Sequence, residues 1–190
     1  ETVGPYNRPP LSKDLWKGKP ADSIWLPIHD KNVEVLTDHQ VVQLNLKEKR
    51  VITQNKEVFG YRTLLIASGT DPKHLRFSDN DIIYYRGYAD YLKLHELAEK
   101  RESFAVIGAG FIGSEIAAAL NMNGKKVSII ESGAGIGWRV FPPEIVDYLN
   151  AFYRSKGIEI LDRANIKKEK KKDGYHHIVF KNDKTLDVDG

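Results

Sequence analysis

Residues Phe104 to Glu131 read FAVIGAGFIGSEIAAALNMNGKKVSIIE. The run Phe104-Ala105-Val106-Ile107 is short, apolar and strand-like. Gly108, Gly110 and Gly113 follow in the spacing G-x-G-x-x-G. Ile112 and the apolar, Ala-rich stretch from Ile116 to Leu120 then carry a helical pattern, which Gly124 ends. Val127-Ser128-Ile129-Ile130 is a second strand-like run, and Glu131 closes it about 20 residues past the glycines.

Each piece has its own physical job. Gly108 allows the tight turn out of the strand, Gly110 lets backbone approach a pyrophosphate, and Gly113 lets helix and strand pack closely. The first N–H groups of the helix lack intrahelical partners and point at the phosphates. Glu131 is placed to accept hydrogen bonds from a ribose diol. A lone glycine triplet is a weak signal. Strand, glycines, helix, strand and acid in this order predict a βαβ dinucleotide site rather than a βαβ unit with incidental glycines.

Working forward, Gly133, Gly135 and Gly137 mark a loop. Pro142-Pro143-Glu144 opens an amphipathic helix with apolar positions Ile145, Leu149 and Phe152 and with Tyr148 beside them. Gly157 stops it. Ile158 to Leu161 is the third strand of a βαβαβ half, and two more antiparallel strands are expected after it. Lys167 to Lys172 is a run of positive charge before Asp173-Gly174, read as a solvated hairpin loop, with a polyanion patch as the alternative. His176 and His177 sit in a strand pattern and point to opposite faces, a poor arrangement for a metal.

Working backward, helix 87–100 is expected to place Tyr88, Leu92 and Leu97 on one face. Leu64-Leu65-Ile66-Ala67 reads as a buried strand ending at Ser68-Gly69-Thr70-Asp71-Pro72. Val33–Leu36, Val41–Leu46 and Arg50–Thr53 read as a β-meander with turns at Thr37-Asp38-His39 and Lys47-Glu48-Lys49. Pro5, Pro9 and Pro10 forbid a central strand or long helix near the start. A PPII-like segment there would hold Arg8 and Lys13, and Leu11–Trp16 would begin a short helix with Ser12 as its cap.

The bulk numbers narrow the classes. With 190 residues there is room for one large or two small domains. No apolar run approaches the ~20 residues of a membrane span. Lacking cysteine, these residues hold no disulfide, thiolate metal site or redox dithiol. The net charge of +3 is too small to argue for nucleic acid. Taken together, a cytoplasmic soluble protein is expected.

Three motifs in order, PYNRPPLSK (Pro5 to Lys13), YRTLLIASGTDP (Tyr61 to Pro72) and VIGAGFIGSE (Val106 to Glu115), resemble FAD- and NAD(P)-dependent pyridine nucleotide oxidoreductases. The subgroup they resemble is that of ferredoxin and rubredoxin reductases together with apoptosis-inducing factor, for which RPPLSK is the specific mark. The resemblance implies an α/β fold: a Rossmann-type NAD domain at 73–190, with a parallel βαβαβ half plus antiparallel strands. Residues 1–72 would be part of a second, Rossmann-like FAD domain carrying the meander. The family's first G-x-G-x-x-G, for the FAD pyrophosphate, does not occur here, so the chain resembles a middle portion of such a protein.

By the same resemblance, Arg8 and Lys13 contact FAD, Val41 meets its adenine through the backbone, and Ala67, Ser68 and Gly69 line the FAD site. Arg86 approaches that site, and Glu1 stands near an acidic ribose-binding position. Ala109, Gly110, Phe111 and Ile112 form the NAD turn between Gly108 and Gly113, with Phe111 covering the flavin face until nicotinamide displaces it. Glu131 takes the adenosine ribose and Arg139 lies near the same nucleotide. Lys13 and Glu115 pair beside the flavin in a poorly hydrated site and tune it for hydride arrival.

The implied activity is passage of hydride from NADH to FAD and of electrons to an external acceptor such as ferredoxin or rubredoxin. One alternative is a thiol-dependent NADH oxidase or disulfide reductase, against which Ser12 stands where such relatives need a cysteine. The other is a non-catalytic nucleotide-responsive binding protein, for which the Lys167–Lys172 run is the patch to test.

Overall fold

The computed structural model describes residues 2–28, 32–75 and 81–190. The chain forms two compact units, Glu1–Asn7 with Ala21–Asp71, and Arg8–Pro20 with Pro72–Gly190. One break between the units falls after residue 71. The proline-rich segment 8–20, however, packs within the second unit.

In the first unit, β1 (Val41–Asn45), β2 (Arg50–Thr53) and β3 (Val58–Gly60) form an antiparallel sheet in that order. Tyr6 bridges Trp25 in antiparallel fashion, with the two rings edge-on at 5.7 Å. Two expected strands are corrected here. Val33–Leu36 is not a strand. Leu64–Ala67 is not a strand either, and Leu65 is 87% exposed. A strand buried on both faces needs neighbours to satisfy its backbone, and among the described residues none pairs with it.

The second unit begins with two short 3-10 turns, Pro9–Ser12 and Asp14–Lys17. Pro9 and Pro10 sit at the start of the first, where proline's fixed φ suits a helical turn. Arg8 has ψ −37, so the PPII expectation is corrected. The carbonyl of Leu11 accepts from Trp16 Nε1 (2.9 Å) and from the Tyr85 hydroxyl (2.5 Å). Asn123 Nδ2 donates to the Trp16 carbonyl at 3.1 Å. These bonds fix the segment against the helical layer.

α1 (Tyr88–Lys100) follows, its Asp90 carboxylate accepting the Arg86 and Gly87 N–H groups at 3.0 and 2.8 Å. Its buried face is Tyr91, Leu94 and Ala98; Leu92 is exposed, which corrects the expected face. β4 (Ser103–Ile107), β5 (Lys126–Ile130) and β6 (Glu159–Leu161) form a parallel sheet in the order β4-β5-β6. α2 (Phe111–Met122) and α3 (Pro143–Ser155) are the crossovers. Burial on both faces explains the near-continuous apolar run of β5, whose Ile129 is fully buried. Such a side chain contributes about 1.5–3 kcal/mol.

On α3 the buried positions are Val146 and Asn150, whereas Ile145 and Phe152 are exposed, another corrected face. β7 (Ile166–Lys172), β8 (Tyr175–Phe180) and β9 (Thr185–Val188) form an antiparallel sheet. Ile178, Phe180 and Val188 pack with Ile130 in one core cluster. The lysine run is therefore strand β7, not loop; only Asp173-Gly174 turns. Lysine stems tolerate an exposed strand, while Glu169 turns inward to His176 Nδ1 at 2.8 Å. His177 Nδ1 lies 2.7 Å from Asp187. No described helix is long and apolar enough to cross a membrane.

Candidate functional site

The turn between β4 and α2 is built as its glycines require. Gly108 has φ +99, a left-handed conformation that side chains disfavour. A Cβ on Gly113 would stand 2.0 Å from the Gly108 carbonyl oxygen, so helix and turn touch only because it is absent. A Cβ on Gly110 would meet no atom within 4 Å. The space above Gly110 and the open first turn of α2 thus fit the pyrophosphate of a dinucleotide. Phe111 and Ile112 are exposed there, with Phe111 edge-on to Phe141 at 6.0 Å. A cavity of about 610 Å³ opens beside the turn along Ile107, Gly110 and Phe111.

Glu131 lies just past β5 and is buried. Its Oε2 accepts the Ala109 N–H at 2.8 Å. Its Oε1 accepts from Gly133 N–H (2.9 Å), Ser132 Oγ (3.1 Å) and Trp138 Nε1 (3.1 Å). Burial opposes ionisation, but these four donors outweigh it and hold the carboxyl below its ordinary value. Gly137 N–H closes the contact by donating to the Ala109 carbonyl at 2.8 Å. Asn150 of α3 supports the loop, accepting the Ile136 N–H at 3.0 Å and donating to the Ala134 carbonyl at 2.9 Å. Arg139 is exposed, its guanidinium carbon 5.1 Å from the Trp138 ring centroid.

The second cluster is Ser12, Lys13 and Glu115. Lys13 Nζ lies 3.0 Å from Glu115 Oε1, and Ser12 Oγ donates to Glu115 Oε2 at 2.6 Å. Ser12 is thus a ligand of the glutamate, not a helix cap. The Lys13 and Glu115 side chains keep 49% and 28% exposure, so within this chain the pair is half-covered rather than poorly hydrated. It borders a cleft of about 180 Å³ with Trp16, Lys17 and Tyr153.

The other expected residues fall as follows. Val41 opens β1 and is 52% exposed; Ala67, Ser68 and Gly69 are exposed, with Gly69 at φ +73. Arg8 is exposed and Arg86 half-buried. Glu1 lies outside the described residues. The sequence reading did not single out Trp138, Ser132 or Asn150, and it named Gly133 only as part of a loop. A tryptophan seven residues beyond the acid, in a loop with glycine at every second position, was the available signal.

The profile of the pyridine nucleotide-disulphide oxidoreductase family matches residues 1–190. Rubredoxin-NAD(+) reductase of Pseudomonas putida is 27% identical over 184 residues, covering 92% of this chain and 48% of that protein. The seedling isozyme of monodehydroascorbate reductase from Cucumis sativus is 31% identical over 186 residues, covering 85% and 42%. The chain spans about half the length of the curated relatives it matches. Its fold superposes on a ferredoxin reductase of Rhodopseudomonas palustris with a TM-score of 0.92 and 26% identity, over 100% of this chain and 49% of that one. The βαβ turn, the Lys13–Glu115 pair and these matches agree: the chain belongs to the pyridine nucleotide-disulphide oxidoreductase family.

Proposed function

We propose that this chain forms part of an NADH-dependent flavoprotein reductase that passes electrons to an external acceptor, a small iron–sulfur protein such as ferredoxin or rubredoxin. The observation that carries the reading is the β4–α2 turn, open above Gly110 and closed tightly at Gly113. Gly108 to Gly113 with Ala109, Phe111 and Ile112 hold the dinucleotide; Glu131 and Arg139 face its adenosine end. Arg8, Lys13, Val41, Ala67, Ser68, Gly69 and Arg86 serve the flavin, with residues 1–72 as part of the FAD domain and 73–190 as the NAD domain. When bound, nicotinamide and flavin supply the hydride and electron chemistry. The protein needs no nucleophile: Lys13 holds a positive charge in place, and Glu115 and Ser12 orient it.

Stopped-flow reduction of the flavin by NADH in the full-length protein, followed by reoxidation with ferredoxin, rubredoxin or monodehydroascorbate, tests this reading. Rapid reduction with fast reoxidation by one iron–sulfur protein is expected. Flavin that NADH does not reduce would overturn it. Fast reoxidation by the organic radical alone would move the acceptor to the plant relatives' class.

A further inference from the structure

Glu131 Oε1 is crowded. A carboxylate oxygen offers about two lone-pair directions, yet Gly133, Ser132 and Trp138 all donate to it. The Gly133 amide is fixed by the backbone, and Ser132 is the next residue. Trp138 alone reaches in from farther along the loop, and it is 39% exposed. Its indole packs against Gly133, where a Cβ would stand 2.0 Å from Trp138 Cε2. Arg139 stands over the ring. One edge of an otherwise surface-facing plate therefore grips the carboxylate on which the nucleotide reading depends.

Resting on that reading, we propose that Trp138 is a specificity-determining latch. Its indole N–H occupies Glu131 Oε1 until a ribose hydroxyl takes its place, so the site admits nucleotides with a free 2′-hydroxyl. The exchange is one donor for another at the same oxygen. A ribose hydroxyl has a proton to give. The 2′-position is the one assigned to this oxygen: a 2′-deoxyribose keeps its 3′-hydroxyl but has no donor there, and a 2′-phosphate brings negative charge instead, so neither releases the latch. The tight Ala109 and Gly133 bonds stay in place, and the pyrophosphate turn is undisturbed. Because forming the hydroxyl bond breaks the indole bond, the wild-type protein realises only the difference between the two.

The test uses the full-length protein labelled with 5-fluorotryptophan, the Trp138 resonance being assigned with Trp138→Phe, which keeps an aromatic plate but removes the donor. ADP-ribose and 2′-deoxy-ADP-ribose are the probes, neither able to reduce a flavin. Saturating ADP-ribose is expected to shift the Trp138 ¹⁹F resonance, and 2′-deoxy-ADP-ribose to leave it in place. Trp138→Phe is expected to bind ADP-ribose about tenfold tighter, or about 1.4 kcal/mol, with little change for the deoxy probe. An unmoved Trp138 resonance at saturation, or ADP-ribose affinity in Trp138→Phe that is equal or weaker, would overturn the latch while leaving the dinucleotide site standing. Failure of ADP-ribose to bind the wild type would remove the dinucleotide reading and the latch with it. Should Trp138→Phe not fold, Trp138→Tyr assigns the resonance and the wild-type spectra decide.

Discussion

Ser12 Oγ donates to Glu115 Oε2 across 103 residues of sequence, at 2.6 Å, while Lys13 Nζ takes the other carboxylate oxygen. One glutamate on the first turns of α2 thereby fixes Ser12, the last residue of the first 3-10 turn, and Lys13, which joins it to the second.

In full-length protein, Lys13→Ala and Glu115→Ala are each expected to perturb the flavin absorption spectrum and slow its reduction by NADH. The double variant should be less impaired than the sum, because the two residues act as a pair. The exposure of both side chains keeps the stability cost below about 1 kcal/mol, so kinetics and stability separate. Stopped-flow reduction across the four proteins measures the coupling, and strictly additive effects would refute it.

Gly113 and Gly110 should respond differently to alanine. At Gly113 the new methyl meets backbone oxygen at 2.0 Å, and overpacking of this kind costs about 1–3 kcal/mol. At Gly110 there is room, with the backbone at φ −75, and the loss should stay under about 1 kcal/mol. ADP-ribose binding should nonetheless fall in Gly110→Ala, because the methyl occupies the phosphate's approach. Urea denaturation and calorimetric titration distinguish the two; equal stability losses would contradict the close-packing role of Gly113.

Stability should fall in acid through Glu131. Its folded pKa is depressed below the ordinary 4.5, so its bonds stabilise fully above the unfolded value and fade as pH drops through the folded one. In that window the unfolded chain binds more protons. Glu131→Gln should flatten the slope of urea midpoint against pH below about 4.5 and lower the neutral plateau by about 1–3 kcal/mol. Asp189 is also depressed, burial being outweighed by donors from Ser103 and Glu102, so some slope will persist. An unchanged slope in Glu131→Gln would show that this carboxylate is not the titrating group.

The ionised Glu131 also predicts preference for NADH over NADPH, since a carboxylate repels a 2′-phosphate. The ratio of kcat/KM for the two cofactors in full-length protein should favour NADH; a ratio favouring NADPH would place Arg139, not Glu131, in control.

The βαβαβ half was legible because its signals are local. Gly108, Gly113, Gly124 and Gly157 punctuate strongly periodic runs, and α2, α3 and β4 to β6 stand where those runs lie. Helix faces were not legible in the same way. On α1 and α3 apolar residues occur around much of the helix, and packing selected Tyr91 and Val146 over Leu92 and Ile145. The lysine run of β7 hid a strand, because pairing to β8 overrides charge. Lys13 and Glu115 were foreseen to pair only through a resemblance to known proteins. The donors to Glu131 from the glycine loop depend on backbone conformations such as Gly135 at φ +129 and Gly137 at φ +66, which local pattern does not specify.

Ala109 has both of its backbone groups taken by one loop, the N–H by Glu131 and the carbonyl by Gly137. The β4–α2 turn and the loop after β5 are therefore joined as a single rigid unit. Mononucleotide fragments that each order only one end should bind with free energies that do not sum to that of the joined molecule. Length changes between Glu131 and Gly137 would be transmitted directly to the backbone of the β4–α2 turn, so the loop's size is constrained by the geometry at its far side.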